Sequence, residues 1–315
     1  MINRKAFIVG IKSTSLSKKE IIFLKKHKPW GVILFSRNVK GFEQIKKLIK
    51  DIRFIFKDKN YPILIDQEGG RVNRLNKLIE TSILTAEFFG NLYKKNKKKF
   101  FNYYKIYINQ ISYLLNEIGV NINTVPVLDV RRAKSSNVIG DRSYSSLPKN
   151  VSKIGDVCIK EFKKRGIGTV IKHIPGHGLA KVDSHRLTPV VKKKMKYLYK
   201  NDFAPFKNKK TFFAMTAHVI YKDIDPINTA THSPKIIKLI RKKIGFKNII
   251  ISDDISMKGL KYSIKQNLQK ALSAGCNLIL HCNANYSEMR TVAENSPIVD
   301  NFIIQKTSQF YKFLS

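Results

Sequence analysis

A single-domain α/β fold, a (β/α)8 TIM-type barrel, is the architecture this sequence predicts, and three observations lead to it. Eight short apolar runs rich in β-branched and aromatic residues recur along the 315-residue chain. Lysine-rich amphipathic segments of helical period lie between them. Polar and titratable residues gather where the runs end. Uninterrupted apolar strands alternating with helices are the pattern of a parallel sheet covered on its outside. Eight such units in about 300 residues fit a closed barrel better than an open sheet.

In chain order, strands are read at residues 6–11, 30–35, 62–66 and 120–129, then at 168–173, 211–218, 248–253 and 277–282. Helical segments are read at 44–56, 101–118, 151–165, 234–244 and 260–274. Beyond residue 282 just over thirty residues remain, enough for one or two closing helices and too few for another domain, so residues 1–315 are expected to form one domain. The charge run Lys94–Lys99, broken only by Asn96, reads as a solvated loop or helix end.

Composition bounds the rest. With 43% hydrophobic and 26% charged residues the chain is globular, and no stretch approaches the ~18 uninterrupted apolar residues of a membrane helix. Sixty Lys+Arg against 22 Asp+Glu give a net charge of +38, which raises the question of a polyanion partner. Lysine outnumbers arginine 48 to 12 and is spread over nearly every helical segment. Arginine is the usual residue for bidentate phosphate and guanine contacts, so the charge reads as a generally basic solvated surface without specific nucleic-acid recognition. The three cysteines, Cys158, Cys276 and Cys282, show no C-x-x-C spacing and imply neither a disulfide framework nor a thiolate zinc site. The N-terminal apolar run is about six residues, shorter than a signal peptide core, so a cytoplasmic location with reduced thiols is expected.

Seven strand ends carry the polar residues: Ser36-Arg37-Asn38, Asp66-Gln67-Glu68, Asp129, Lys172-His173, His218, Ser252-Asp253-Asp254 and His281. A barrel brings all of these ends to one face, where such folds keep their chemistry. The stretch Asp66 to Arg74 combines two carboxylates, paired glycines and two arginines, which suits a hydroxyl-rich ligand. A tight turn in which Glu68 merely pairs with Arg71 would serve as well. Lys172 to Gly178 leads into a Gly/Pro-containing loop with Asp183-Ser184-His185, where an aspartate two residues from a histidine can fix its tautomer for acid/base work. Metal ligation by His173, His177, Asp183 and His185 is the sharper rival. A triad built on Ser184 is weak, because no G-x-S-x-G elbow is present. Of the adjacent acids Asp253 and Asp254, one can cap the following turn while the other attacks an anomeric carbon.

These segments carry a resemblance. Asp-Gln-Glu-Gly-Gly-Arg-Val-Asn-Arg at 66–74, Val-Ile-Gly-Asp-Arg-Ser-Tyr at 138–144, Lys-His-Ile-Pro-Gly-His-Gly at 172–178, Asp-Ser-His at 183–185 and Ser-Asp-Asp-Ile-Ser-Met at 252–257 resemble glycoside hydrolase family 3. More narrowly, they resemble its cytoplasmic β-N-acetylhexosaminidases, over nearly the whole chain. The resemblance implies a retaining exo-β-N-acetylglucosaminidase with Asp253 as nucleophile, His185 as acid/base and Asp183 supporting that histidine. It also implies sugar binding by Asp66, Arg74, Arg142, Lys172 and His173, with no metal and no cofactor. The implied substrate is a small sugar or muropeptide of peptidoglycan recycling, the N-acetylglucosaminyl-anhydro-muramoyl peptides. The protein is expected to act as a monomer without membrane insertion. Two rivals remain: a metal-dependent hydrolase using the His/Asp loop, and a basic polyanion- or nucleic-acid-binding protein on a degenerate barrel.

Overall fold

The computed structural model describes residues 3–133, 137–184 and 187–315. Its strands among these residues are β1 (Lys5–Gly10), β2 (Pro29–Leu34), β3 (Ile63–Ile65), β4 (Ile122–Asn123) and β5 (Gly168–Ile174), followed by β6 (Val190–Val191), β7 (Phe213–Thr216), β8 (Ile220–Tyr221), β9 (Ile249–Asp254) and β10 (Leu278–His281). Eight of them close into a barrel in the order β1-β2-β3-β4-β5-β7-β9-β10, with β10 pairing back onto β1. Every neighbouring pair in the barrel is parallel. These are the eight strands read from the apolar runs. Strands β6 and β8 form a separate parallel pair outside the barrel. Two residues each are too few to leave a periodic signal.

Alternation along the strands divides the apolar residues between two layers. Phe213, Met215, Ile249, Ile251, Leu278 and Leu280 pack in one cluster inside the barrel. Their chain neighbours Ala214, Ile250 and Ile279 belong to the larger cluster beneath the helices. The last helix, Asn301–Leu314, joins the inner cluster through Ile303 and Phe310. The Phe310 ring meets Phe213 edge-on at 5.2 Å, and Trp30 Nε1 donates to Thr307 Oγ1 at 2.9 Å. Phe213 and Trp30 lie at the starts of their strands, so this helix covers the N-terminal end of the barrel. Burying such large side chains stabilises by about 1.5–3 kcal/mol each.

The differences from the expected elements have local causes. The run read as a strand over 120–129 pairs as regular strand only at Ile122–Asn123. The Asn123 side chain then substitutes for the ladder, accepting from Gln67 N–H and donating to Gln67 O, and Pro126 has no N–H to give. Pairing resumes on the other side, where Leu128 N–H donates to Lys172 O at 2.7 Å. The helix read over 260–274 begins at Ile264, where Ser263 and Gln266 form a reciprocal capping box. The lysine run 94–99 straddles the junction of helices Ala86–Lys95 and Lys97–Ile118, and Asn96 caps the second. Among the described residues no helix is long and apolar enough to cross a membrane.

Candidate active site

Where the strands end, the barrel interior changes from apolar to charged and opens into a cavity of about 490 Å³. That volume is typical of small-molecule sites. Of the eight residues singled out in the sequence, Asp66, Arg74, Arg142, Lys172, His173, Asp183 and Asp253 all line it. The eighth, His185, lies outside the described residues, as does its expected contact with Asp183.

One wall is a buried ion cluster. Lys172 Nζ on β5 reaches Asp66 Oδ1 at 3.0 Å and Glu68 Oε1 at 2.6 Å. Arg142 donates twice to Glu68, each bond 2.8 Å. Arg74 Nη2 reaches Asp66 Oδ2 at 3.4 Å, and Thr124 Oγ1 donates to Asp66 Oδ1. Burial by itself raises a carboxyl pKa, but here the cations win. Lys172 and Arg74 hold Asp66 well below the usual carboxylate range, and Arg142 with Lys172 brings Glu68 down to about 2. Both acids are ionised at neutral pH. The buried Nε of Arg74 has no hydrogen-bond partner among the described residues.

The chain folds into this cluster through Gly69 and Gly70, whose φ values of 95° and 56° are costly for residues with a Cβ. That turn returns Arg74 to the cavity that Asp66 enters. The alternative Glu68–Arg71 pairing is not what forms. Arg71 instead bonds Asp141 at 2.8 Å and the carbonyls of Asn137, Val138 and Ile139, clamping the segment that ends in Arg142. Glu68 and Arg142 are 74 positions apart, so no local spacing could have matched them.

A second buried unit lies beneath His173. Asp129 Oδ2 is 2.6 Å from His173 Nδ1, and Oδ1 accepts the His177 backbone N–H at 2.6 Å. This carboxylate places the His173 proton on Nδ1 and leaves Nε2 for a ligand. Asp129 is held below its ordinary value, since the two histidines outweigh its burial. His177 is pushed down to about 4 by burial and by its neighbour His173, so its ring is neutral at pH 7. Its Nε2 lies 3.1 Å from Ser184 Oγ. Among the described residues no group of three or more His, Cys, Asp or Glu is placed to hold a metal ion.

The adjacent acids Asp253 and Asp254 both line the cavity and differ in their hydrogen bonds. Asp254 Oδ1 accepts from Ser256 N–H and Cys282 N–H, tying down the turn after β9. Asp253 lines the cavity, and its backbone N–H donates to Thr216 Oγ1 at 3.3 Å. Other strand-end residues are structural. His218 joins Thr231 Oγ1 to Asp254 O, His281 bonds Glu288 at 2.9 Å, and Asn38 binds the carbonyls of Ile11 and Ser13. Glu68 and Asp129 were visible only as strand-end acids, and their roles in the site emerge from their partners.

Residues 7–308 match the model of the glycosyl hydrolase family 3 N-terminal domain. A β-hexosaminidase of Haemophilus ducreyi is 34% identical over 287 residues, which cover 88% of this chain and 80% of that relative. A β-hexosaminidase of Idiomarina loihiensis is 30% identical over 310 residues, covering 96% and 91%. Among solved structures, native NagZ from Neisseria gonorrhoeae is similar with a TM-score of 0.87 at 27% identity, covering all of this chain and 90% of that one.

Proposed function

Because this chain belongs to glycosyl hydrolase family 3 and is a β-N-acetylhexosaminidase, we propose that it removes a terminal N-acetylglucosamine with retention of anomeric configuration. The observation that carries this reading is the meeting of Asp253 with Asp66, Arg74, Arg142 and Lys172 in one cavity. A wall with both carboxylate acceptors and cationic donors matches sugar hydroxyls, which donate and accept at once. Asp66, Arg74, Arg142, Lys172 and His173 hold the non-reducing sugar.

In the first step Asp253 forms a bond to the anomeric carbon. The bond to the leaving oxygen breaks, and that oxygen takes a proton from His185. In the second step a water gives its proton to His185 and displaces Asp253 from the same face that the leaving group vacated. Retaining glycosidases ordinarily pair two carboxyl groups. An imidazole with a pKa of ~6.5 serves both directions of transfer near neutral pH, and Asp183 stabilises its charged form. No metal or cofactor is needed for these steps. The whole chain, residues 1–315, acts as one monomeric barrel domain on N-acetylglucosaminyl-anhydro-muramoyl peptides of peptidoglycan recycling, in the cytoplasm. The family membership supports that substrate.

The test is covalent trapping. A 2-deoxy-2-fluoro or 5-fluoro glycoside should label a peptide at Asp253, Asp253→Ala should abolish turnover, and the first-formed product should keep the β configuration. Labelling at Asp254 would overturn the nucleophile, and an α product would overturn the mechanism.

A further inference from the structure

Between Asp183 and His185 stands Ser184, and its environment differs from that of a loop-tip serine. It is 3% exposed and does not line the cavity. Its hydroxyl lies 3.1 Å from His177 Nε2, and its carbonyl accepts the Gly259 N–H at 2.9 Å. A Cβ on Gly259 would collide with that carbonyl oxygen, so this approach requires glycine. Ser184 is thus fixed through its side chain and through its backbone.

His177 is anchored in turn. Its N–H donates to Asp129 Oδ1 at 2.6 Å, its carbonyl accepts from Ala180 N–H at 3.0 Å, and its ring meets His173 edge-on at 5.7 Å. The other oxygen of Asp129 holds His173. One buried carboxylate therefore ties the cavity-lining His173, through His177, to the segment that carries Asp183 and Ser184. Neither His177 nor Ser184 lines the cavity, so a catalytic contact does not account for their bond.

We infer that His177 and Ser184 are a positioning pair for the acid/base, their hydrogen bond holding Asp183 and Ser184, which precede His185 in the chain, beside the cavity. This rests on the assignment of His185 as acid/base. The consequence is specific to proton transfer. Misplacing the acid slows departure of a poor leaving group and scarcely affects one that needs no protonation. A loss of structure would slow both alike.

The experiment compares kcat/KM for chitobiose and for 4-nitrophenyl N-acetyl-β-glucosaminide. The proteins are wild type, Ser184→Ala, His177→Phe, their double variant and His185→Ala, each with its melting temperature measured. Ser184→Ala and His177→Phe should each lose about fivefold to tenfold on chitobiose, the effect of one hydrogen bond, and less than about twofold on the aryl glycoside. The double variant should lose no more than the worse single one, because both remove the same bond. Equal losses on both substrates, or single losses that multiply in the double variant, would overturn the inference. If His185→Ala shows leaving-group dependence and neither Ser184→Ala nor His177→Phe does, the acid/base assignment stands and the positioning pair falls. If His185→Ala itself shows none, the assignment falls and takes this inference with it.

Discussion

Replacing Glu68 by glutamine removes one charge from the ion cluster that shapes the cavity, and the structure sets the size of the effect. The Glu68 side chain is 6% exposed and bonds Arg142 twice and Lys172 once. Its carboxyl sits at about 2 against an ordinary 4.5, with Arg142 and Lys172 overcoming the burial that would raise it. That gap corresponds to about 3 kcal/mol of stability at neutral pH. Because the folded value is the lower one, this stability is present in full above about pH 4.5 and is lost as the pH falls toward 2. Breaking a buried pair by mutation costs roughly 3–5 kcal/mol. The low end applies here, because Lys172 keeps Asp66 as partner. With an unfolding entropy of about 2.1 cal/mol/K per residue, a 315-residue chain should lose roughly 5 °C in melting temperature at pH 7. By pH 3 the difference should shrink to about half, since the unfolded carboxylate is then protonated. Calorimetry at both pH values measures this. Asp51→Asn is the control, because its 2.6 Å pair with Lys47 is largely exposed and should shift melting by under about 1 °C. Glu68→Gln melting like wild type at pH 7, or with a gap unchanged at pH 3, would refute the account. Activity should fall as well, by about 100-fold in kcat/KM, because Arg142 and Lys172 lose the carboxylate that places them.

Asp129→Asn should destabilise by about 1–3 kcal/mol and raise KM, since one of the two oxygens that serve His173 and His177 becomes an NH2 that donates and cannot accept; urea titration and steady-state kinetics would show it, and unchanged KM would detach Asp129 from the sugar site. Asp183→Ala should slow chitobiose hydrolysis more than aryl glycoside hydrolysis, in milder form than His185→Ala, because the imidazole remains but is poorly oriented; a loss equal on both substrates would remove it from that role. Heparin should bind weakly and lose most of its affinity between low and physiological salt, as expected of a diffuse lysine surface, and binding that survives physiological salt would argue for a dedicated polyanion site.

The barrel could be read directly from the chain because strand formation in a doubly covered sheet depends on contiguous apolar residues. Runs such as Val32-Ile33-Leu34 and Ile249-Ile250-Ile251 supply side chains to both layers at once, so the local pattern suffices. The placing of acids and cations at strand ends was equally local, and parallel closure then gathers Asp66, Lys172 and Asp253 at one mouth. Partner choice was not local. Glu68 has Arg71 three positions away and takes Arg142 instead, because barrel closure brings the 137–142 segment over the end of β3 while Arg71 turns outward to Asp141. Nor did composition separate His173, bonded by Asp129 and lining the cavity, from His281, bonded by Glu288 and outside its lining, since both stand at strand ends. Ser184 looked like one member of a catalytic-looking triplet until burial and the His177 bond gave it a different part. The apolar pattern is a property of neighbours in sequence, whereas charges and hydrogen bonds are satisfied by whichever groups the closed barrel brings within about 3 Å.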